Sequence, residues 1–116
     1  DHGHDPNRHD DRIHAFTLTW DTPVDWERFA NWVEMLVATY GTHLLRLKGL
    51  LNVEGEERPV VVHGVQHVFH PPAALPQWPD DGDRRTQLVF IVRDLERKVV
   101  ADTMRAFLAD TSEATR

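Results

Sequence analysis

From Ile13 to Trp20 the chain alternates: His14, Phe16, Leu18 and Trp20 form a mostly apolar set, while Ile13, Ala15, Thr17 and Thr19 form the other. This period-two pattern predicts a half-buried strand. The period then changes. Phe29, Trp32, Val33, Leu36, Val37 and Tyr40 recur every three or four residues, the apolar stripe of an amphipathic helix. Thr22-Pro23-Val24-Asp25 supplies its start, with Thr22 or Asp25 able to cap free amides and Pro23 suited to a first turn. Gly41 supplies a stop through the left-handed conformation. From Leu44 to Val53 the pattern is strand-like again, with Leu45, Leu47, Leu51 and Val53 opposed to Arg46, Lys48 and Asn52, and Gly49 marking a bulge. The charged turn Glu54-Gly55-Glu56-Glu57 leads into Pro59 to His63, so these two strands form an antiparallel hairpin. Gly64 bends the chain into a short strand, Gln66 to Phe69.

The segment His70 to Arg85 holds four prolines and one glycine in 16 residues. Proline has no amide to give to a sheet ladder, so the segment reads as a long loop, a kind that is often functional. Thr86 to Val92 returns to strand, and Asp94 can cap a last helix carrying Leu95, Val99, Met104, Phe107 and Leu108. The order β-α-β-β-β-β-α predicts an α+β fold, a meander of four to five antiparallel strands with two helices packed on one face. Phe29, Leu36, Leu45, Val89 and Ile91 are expected in its core.

The ends differ from this middle. Asp1 to Arg12 contains four Asp and three His and no apolar side chain, so residues 1–12 read as a disordered linker, 13–109 as one domain and 110–116 as a disordered tail. With 116 residues there is material for one core and no room for a second catalytic domain. The 41% hydrophobic and 28% charged content is that of a globular chain, and no apolar run reaches the ~20 residues of a spanning helix. The start is neither basic nor apolar, so no signal peptide is read and the expected location is cytoplasmic. A net charge of −6 argues against nucleic acid as a partner, which needs a concentrated basic surface.

The absence of cysteine removes disulfides, thiolate nucleophiles and thiolate ligands, leaving imidazole and carboxylate for any metal. His2, His4 and His9 among Asp1, Asp5, Asp10 and Asp11 are candidate ligands for Zn or Co, though a flexible segment binds weakly because it must first be ordered. Without a metal, the same residues are a bare His-rich linker. His63, His67 and His70 form a second group. On a straight strand His63 and His67 lie roughly 13 Å apart, too far for one ion, and His67 and His70 fall on opposite faces. Only a bend at Gly64 or at Pro71-Pro72 gathers them. No Gly-x-Ser-x-Gly elbow and no phosphate-binding Gly-x-x-x-x-Gly-Lys-Ser/Thr loop occurs, so no catalytic residue is assigned and the chain alone cannot cradle GTP. Trp78, on the proline-stiffened Leu75-Pro76-Gln77-Trp78-Pro79, either plugs the edge of the core or anchors a partner, with Arg84 and Arg85 as neighbouring contacts.

Three stretches, Leu44-Leu45-Arg46-Leu47-Lys48-Gly49, Gly64-Val65-Gln66-His67-Val68-Phe69 and Leu88-Val89-Phe90-Ile91-Val92-Arg93-Asp94, resemble the C-terminal domain of the CobW family over roughly Ile13 to Leu108. In that family the domain follows a P-loop GTPase domain, often through a His-rich linker, and Asp1 to His14 is similar to the end of one. The resemblance implies a noncatalytic accessory domain, for client recognition or regulation, in a GTP-dependent metal chaperone or metalloenzyme activator. Its partners would be the N-terminal GTPase domain of the same polypeptide and a client metalloprotein, with GTP and Mg confined to that GTPase domain. The alternative is a free-standing metal-binding or metal-sensing module that uses the N-terminal histidines.

Overall fold

The computed structural model describes residues 12–66, 68–79 and 83–109. The elements run β1 (Ile13–Trp20), α1 (Trp26–Tyr40), β2 (Leu44–Leu51), β3 (Val60–Val65), β4 (Val68–Phe69), β5 (Ala73–Ala74), β6 (Thr86–Arg93) and α2 (Arg97–Leu108). They make the expected α+β fold, with a six-stranded sheet rather than four or five strands. The additional strand, β5, comes from the proline-rich segment read as a loop. It pairs with Val60 and Val61 on its own two amide-bearing alanines, between the prolines.

The strands are not a meander. Their order is β1-β6-β2-β3-β4, with β5 beside β3, and every named pair is antiparallel. β1 and β2 therefore run the same way with β6 between them, and α1 is the crossover that spaces them: a split β-α-β arrangement. The predicted hairpin of β2 and β3 is present.

α1 starts where Asp25 accepts a hydrogen bond from the Arg28 amide at 3.0 Å. Its stripe buries Phe29, Trp32 and Leu36 against the sheet. The stop is not the left-handed one expected, for Gly41 stays right-handed at φ −56° and the chain leaves through a turn in which the His43 amide donates to Tyr40. α2 is flanked by Glu96, which makes no side-chain cap; Asp94, expected there, sits at φ 53° and pairs with Arg12 instead. The two helices are tied by Trp32, whose indole N–H donates to the Thr103 hydroxyl at 2.9 Å. Trp32 is fully buried, with Phe29 and Phe90 edge-on at 5.9 and 6.0 Å.

Along β6, Thr86, Leu88, Phe90 and Val92 point to the helices, whereas Gln87, Val89, Ile91 and Arg93 do not. Val89 and Ile91 are thus on the face opposite to the one expected, and Leu45 is only half-buried. The run Leu88 to Val92 is apolar on both parities, so alternation cannot choose a face. The choice follows Thr86, whose buried hydroxyl accepts the Asn52 amide at 2.9 Å. In β2 the irregularity lies between Leu44 and Arg46, where it turns both Leu44 and Leu47 inward. Gly49 answers to a different demand: a β-carbon there would fall 2.0 Å from the Gln87 carbonyl oxygen of the neighbouring strand.

Candidate functional site

The helices cover one face of the sheet, and the other carries the uncommon surface. Val65, Val68 and Val89 are 37, 67 and 39% exposed, with Leu50, Val61 and Ile91 half-buried beside them. Two furrows cross this face. One, of ≈ 320 Å³, runs between Lys48, Leu50, Val61 and His63. The other, of ≈ 330 Å³, lies between Leu50, Gln87 and Val89 of the sheet and Trp78, Pro79 and Arg85 of the loop, so the sheet face and the loop form one continuous surface.

Trp78 itself is 7% exposed, and its indole N–H donates to the Glu57 carbonyl at 2.9 Å. The ring is packed between the proline-rich loop and the β2–β3 connection, outside the main apolar core. Arg85 is held by Asp83, whose carboxylate accepts both its backbone amide and its guanidinium at 3.1 Å. The same hydrogen bonds keep the Asp83 carboxyl below the usual carboxylate range. Gln87 donates to Asp83 as well, which fastens the loop to β6. Arg84 is exposed.

His63 and His70 meet, which strand-by-strand reading did not foresee. Val65 pairs with Val68 and Gly64 with Phe69, so His63 and His70, each two residues outside the Val65–Val68 pair, stand opposite one another. The His70 amide donates to the His63 carbonyl at 2.9 Å, and the two rings stack with centroids 5.0 Å apart and planes at 26°. The signal was present in the sequence as the symmetry of the two histidines about the step from residue 66 to 67, and Gln66 adopts a turn conformation at φ 58°. His63 Nε2 is shielded from water and has no hydrogen-bond partner among the described residues. Burial, then the nearby His70, Arg46 and Lys48, lower the pKa of His63 below the ordinary histidine value, so the ring favours its neutral form.

His2, His4 and His9, the metal candidates of the N-terminal segment, lie outside the described residues, as does His67. Among the described residues no group of three or more His, Asp or Glu side chains is placed to hold a metal ion. Nor is any described helix long and apolar enough to cross a membrane.

Comparison with known proteins gives two kinds of match. Residues 13–108 match the family described as the cobalamin synthesis protein cobW C-terminal domain. Among solved structures, the Zn(II)-bound YjiA GTPase from E. coli is similar at 25% identity with a TM-score of 0.73, over 83% of this chain and 30% of that one. A Zn(II)-bound triple mutant of the YjiA GTPase gives the same identity and TM-score over 84% of this chain. The chain thus spans just under a third of the length of the GTPase it matches.

Proposed function

Because this chain belongs to the CobW C-terminal domain family, we propose that it is a noncatalytic accessory domain of a GTP-dependent metal chaperone or metalloenzyme activator, and that it engages its partner through the open face of the sheet. The observation that carries this reading is the exposure of Val65, Val68 and Val89 on the face the helices leave bare. Antiparallel sheets commonly turn one face to water, but that face is then polar throughout; here exposed valines flank the exposed Arg46 and Lys48 of β2, and such a mixed apolar and cationic face suits a protein partner. The loop beside Val89 extends the surface and adds the exposed Arg85 as a charged point in its lining, with the exposed Arg84 next to it in sequence. The partners are the GTPase domain of the same polypeptide and a client metalloprotein, the cargo is Zn or Co, and the location is cytoplasmic.

Chemistry on GTP belongs to the GTPase domain, since this sequence offers neither a phosphate loop nor cysteine, and Ser112 is its single serine. The test uses the polypeptide that joins both domains. Val68→Asp with Val89→Asp is expected to leave nucleotide binding and the melting temperature unchanged while client activation falls. Unchanged activation would remove the sheet face from the account, and GTP turnover by residues 1–116 alone would overturn the accessory-domain reading.

A further inference from the structure

We propose that His63 and His70 form a two-imidazole site for a divalent transition-metal ion, Zn2+ in the first instance, at the β3–β4 edge of the sheet, where both residues also line a cleft with Trp26, Phe29 and Val33 at α1. The site is independent of the histidines in the N-terminal segment.

The argument is geometric. Residues directly opposite across an antiparallel pair carry their β-carbons about 5 Å apart, close enough for two side chains to share one ion. A metal bound to an imidazole nitrogen at about 2.0–2.1 Å lies roughly 3 Å from that ring's centroid, so two imidazoles at tetrahedral positions have centroids about 5 Å apart. The observed separation is 5.0 Å. The centroid spacing is thus that of shared coordination, and the backbone bond from the His70 amide to the His63 carbonyl holds the two residues opposite each other. The rings, whose planes stack at 26°, have to rotate about their side-chain bonds for in-plane nitrogens to converge on one ion.

A second observation points to a ligand. A shielded nitrogen without a partner is costly, and His63 Nε2 is such an atom, the only one among the described side chains. An ion in the plane of the His63 ring at Nε2 satisfies it, with His70 turning a nitrogen toward the same ion. His70 is exposed and stands at the start of the proline-rich segment, so it can adjust, whereas His63 is held in β3. One ligand is therefore fixed and the other adaptable.

Imidazole selects Zn2+, Ni2+, Cu2+ and Co2+ over the hard cations Mg2+ and Ca2+, which take oxygen ligands. Two protein donors leave positions open to water or to an exogenous donor. Arg46 and Lys48, the cations that bear on His63, weaken the hold on the ion and favour an anionic donor in the open positions. A carboxylate or thiolate supplied by a second molecule fits that requirement. Such a site binds weakly and releases readily.

The test uses the full chain with His2, His4 and His9 all replaced by Ala. Titration with Zn2+ is followed by calorimetry and by imidazole nitrogen NMR, with Co2+ as an optical probe. One ion per chain is expected, with the ring signals of His63 and His70 moving together, and His70→Ala lowering the affinity at least about tenfold, or ~1.4 kcal/mol. Since His63→Ala can disturb packing, His63→Asn serves as the second variant, with the fold checked by circular dichroism. His67→Ala is expected to leave binding intact. Loss of all binding in the triple-Ala chain, unchanged affinity in His70→Ala, or dependence on His67 in place of His70 would each overturn the proposal. None of these outcomes bears on client activation, so this site and the accessory-domain reading fail separately.

Discussion

The ring of Phe69 fills the space that a β-carbon on Gly64 would need. The two residues face each other across the β3–β4 pair, and a β-carbon on Gly64 would lie 2.3 Å from the Phe69 ring. Glycine at 64 is thus a packing requirement, and the hairpin that brings His63 to His70 depends on it.

Gly64→Ala is accordingly expected to cost about 1–3 kcal/mol, the usual penalty of overpacking. Denaturant melts measure it, and the double variant Gly64→Ala with Phe69→Leu should recover part of the loss. Equal stabilities for the wild type and Gly64→Ala would mean that Phe69 moves aside freely. NMR of the Gly64→Ala variant should also separate the His63 and His70 ring signals.

The two faces of β6 and α1 give a paired test. Leu36 is fully buried beneath the sheet while Val89 is 39% exposed on the far side. Leu36→Ala should cost about 2–5 kcal/mol, and Val89→Ala less than about 1 kcal/mol. If Val89→Ala proved the more damaging in chemical unfolding, the assignment of the helix-covered face would be inverted.

How much of this was legible in the sequence depended on whether local pattern alone could decide. β1 and α1 were readable because Phe16, Leu18 and Trp20, and then Phe29, Trp32 and Leu36, mark one face at a single period. β6 was not, since Leu88 to Val92 is apolar throughout and a half-buried set cannot be told from an exposed one. Its place between β1 and β2 is a pairing across more than 60 residues of chain on one side, which no local signal announces. α1 does stop at Gly41, but with the glycine right-handed rather than left-handed, and the cap of α2 at Asp94 failed for the opposite reason: the residue suits that local role, but a tertiary contact with Arg12 employs it differently. The histidine pair depended on the bend after His63 being a full reversal, which the sequence named as a condition for gathering the histidines but could not establish. Folding back after Val65 turns a distance along the chain into a contact across it.

Asp94 provides a pH prediction. Its backbone is left-handed, which Asp and Asn tolerate, and its carboxylate accepts from Arg12 Nε at 3.0 Å. The Arg12 hydrogen bond and charge hold the Asp94 carboxyl below its usual range. A depressed folded-state pKa means that the contribution is complete above the unfolded carboxylate value, about 4, and is lost as pH falls through the lower folded value. Asp94→Asn keeps the backbone conformation and removes the charge. Its stability is expected to fall less steeply between neutral and acid pH than that of the wild type, and to respond less to added salt. Identical pH slopes would show that the ion pair contributes nothing in solution.

Trp78 separates packing from partner contact. The ring is buried and its N–H satisfied by the Glu57 carbonyl, so Trp78→Ala should cost about 3–5 kcal/mol, as removal of a buried aromatic does. Trp78→Phe keeps most of the apolar surface and leaves one carbonyl without its donor, a loss of about 1 kcal/mol. Thermal melts of both variants, set beside client activation by the complete polypeptide, distinguish the roles. If the ring is a plug, activation falls only as far as stability does and Trp78→Phe is nearly normal in both. If Trp78→Phe melts close to the wild type but fails to activate the client, the indole is read by the partner itself, and the plug accounts for only part of why a tryptophan stands at this position.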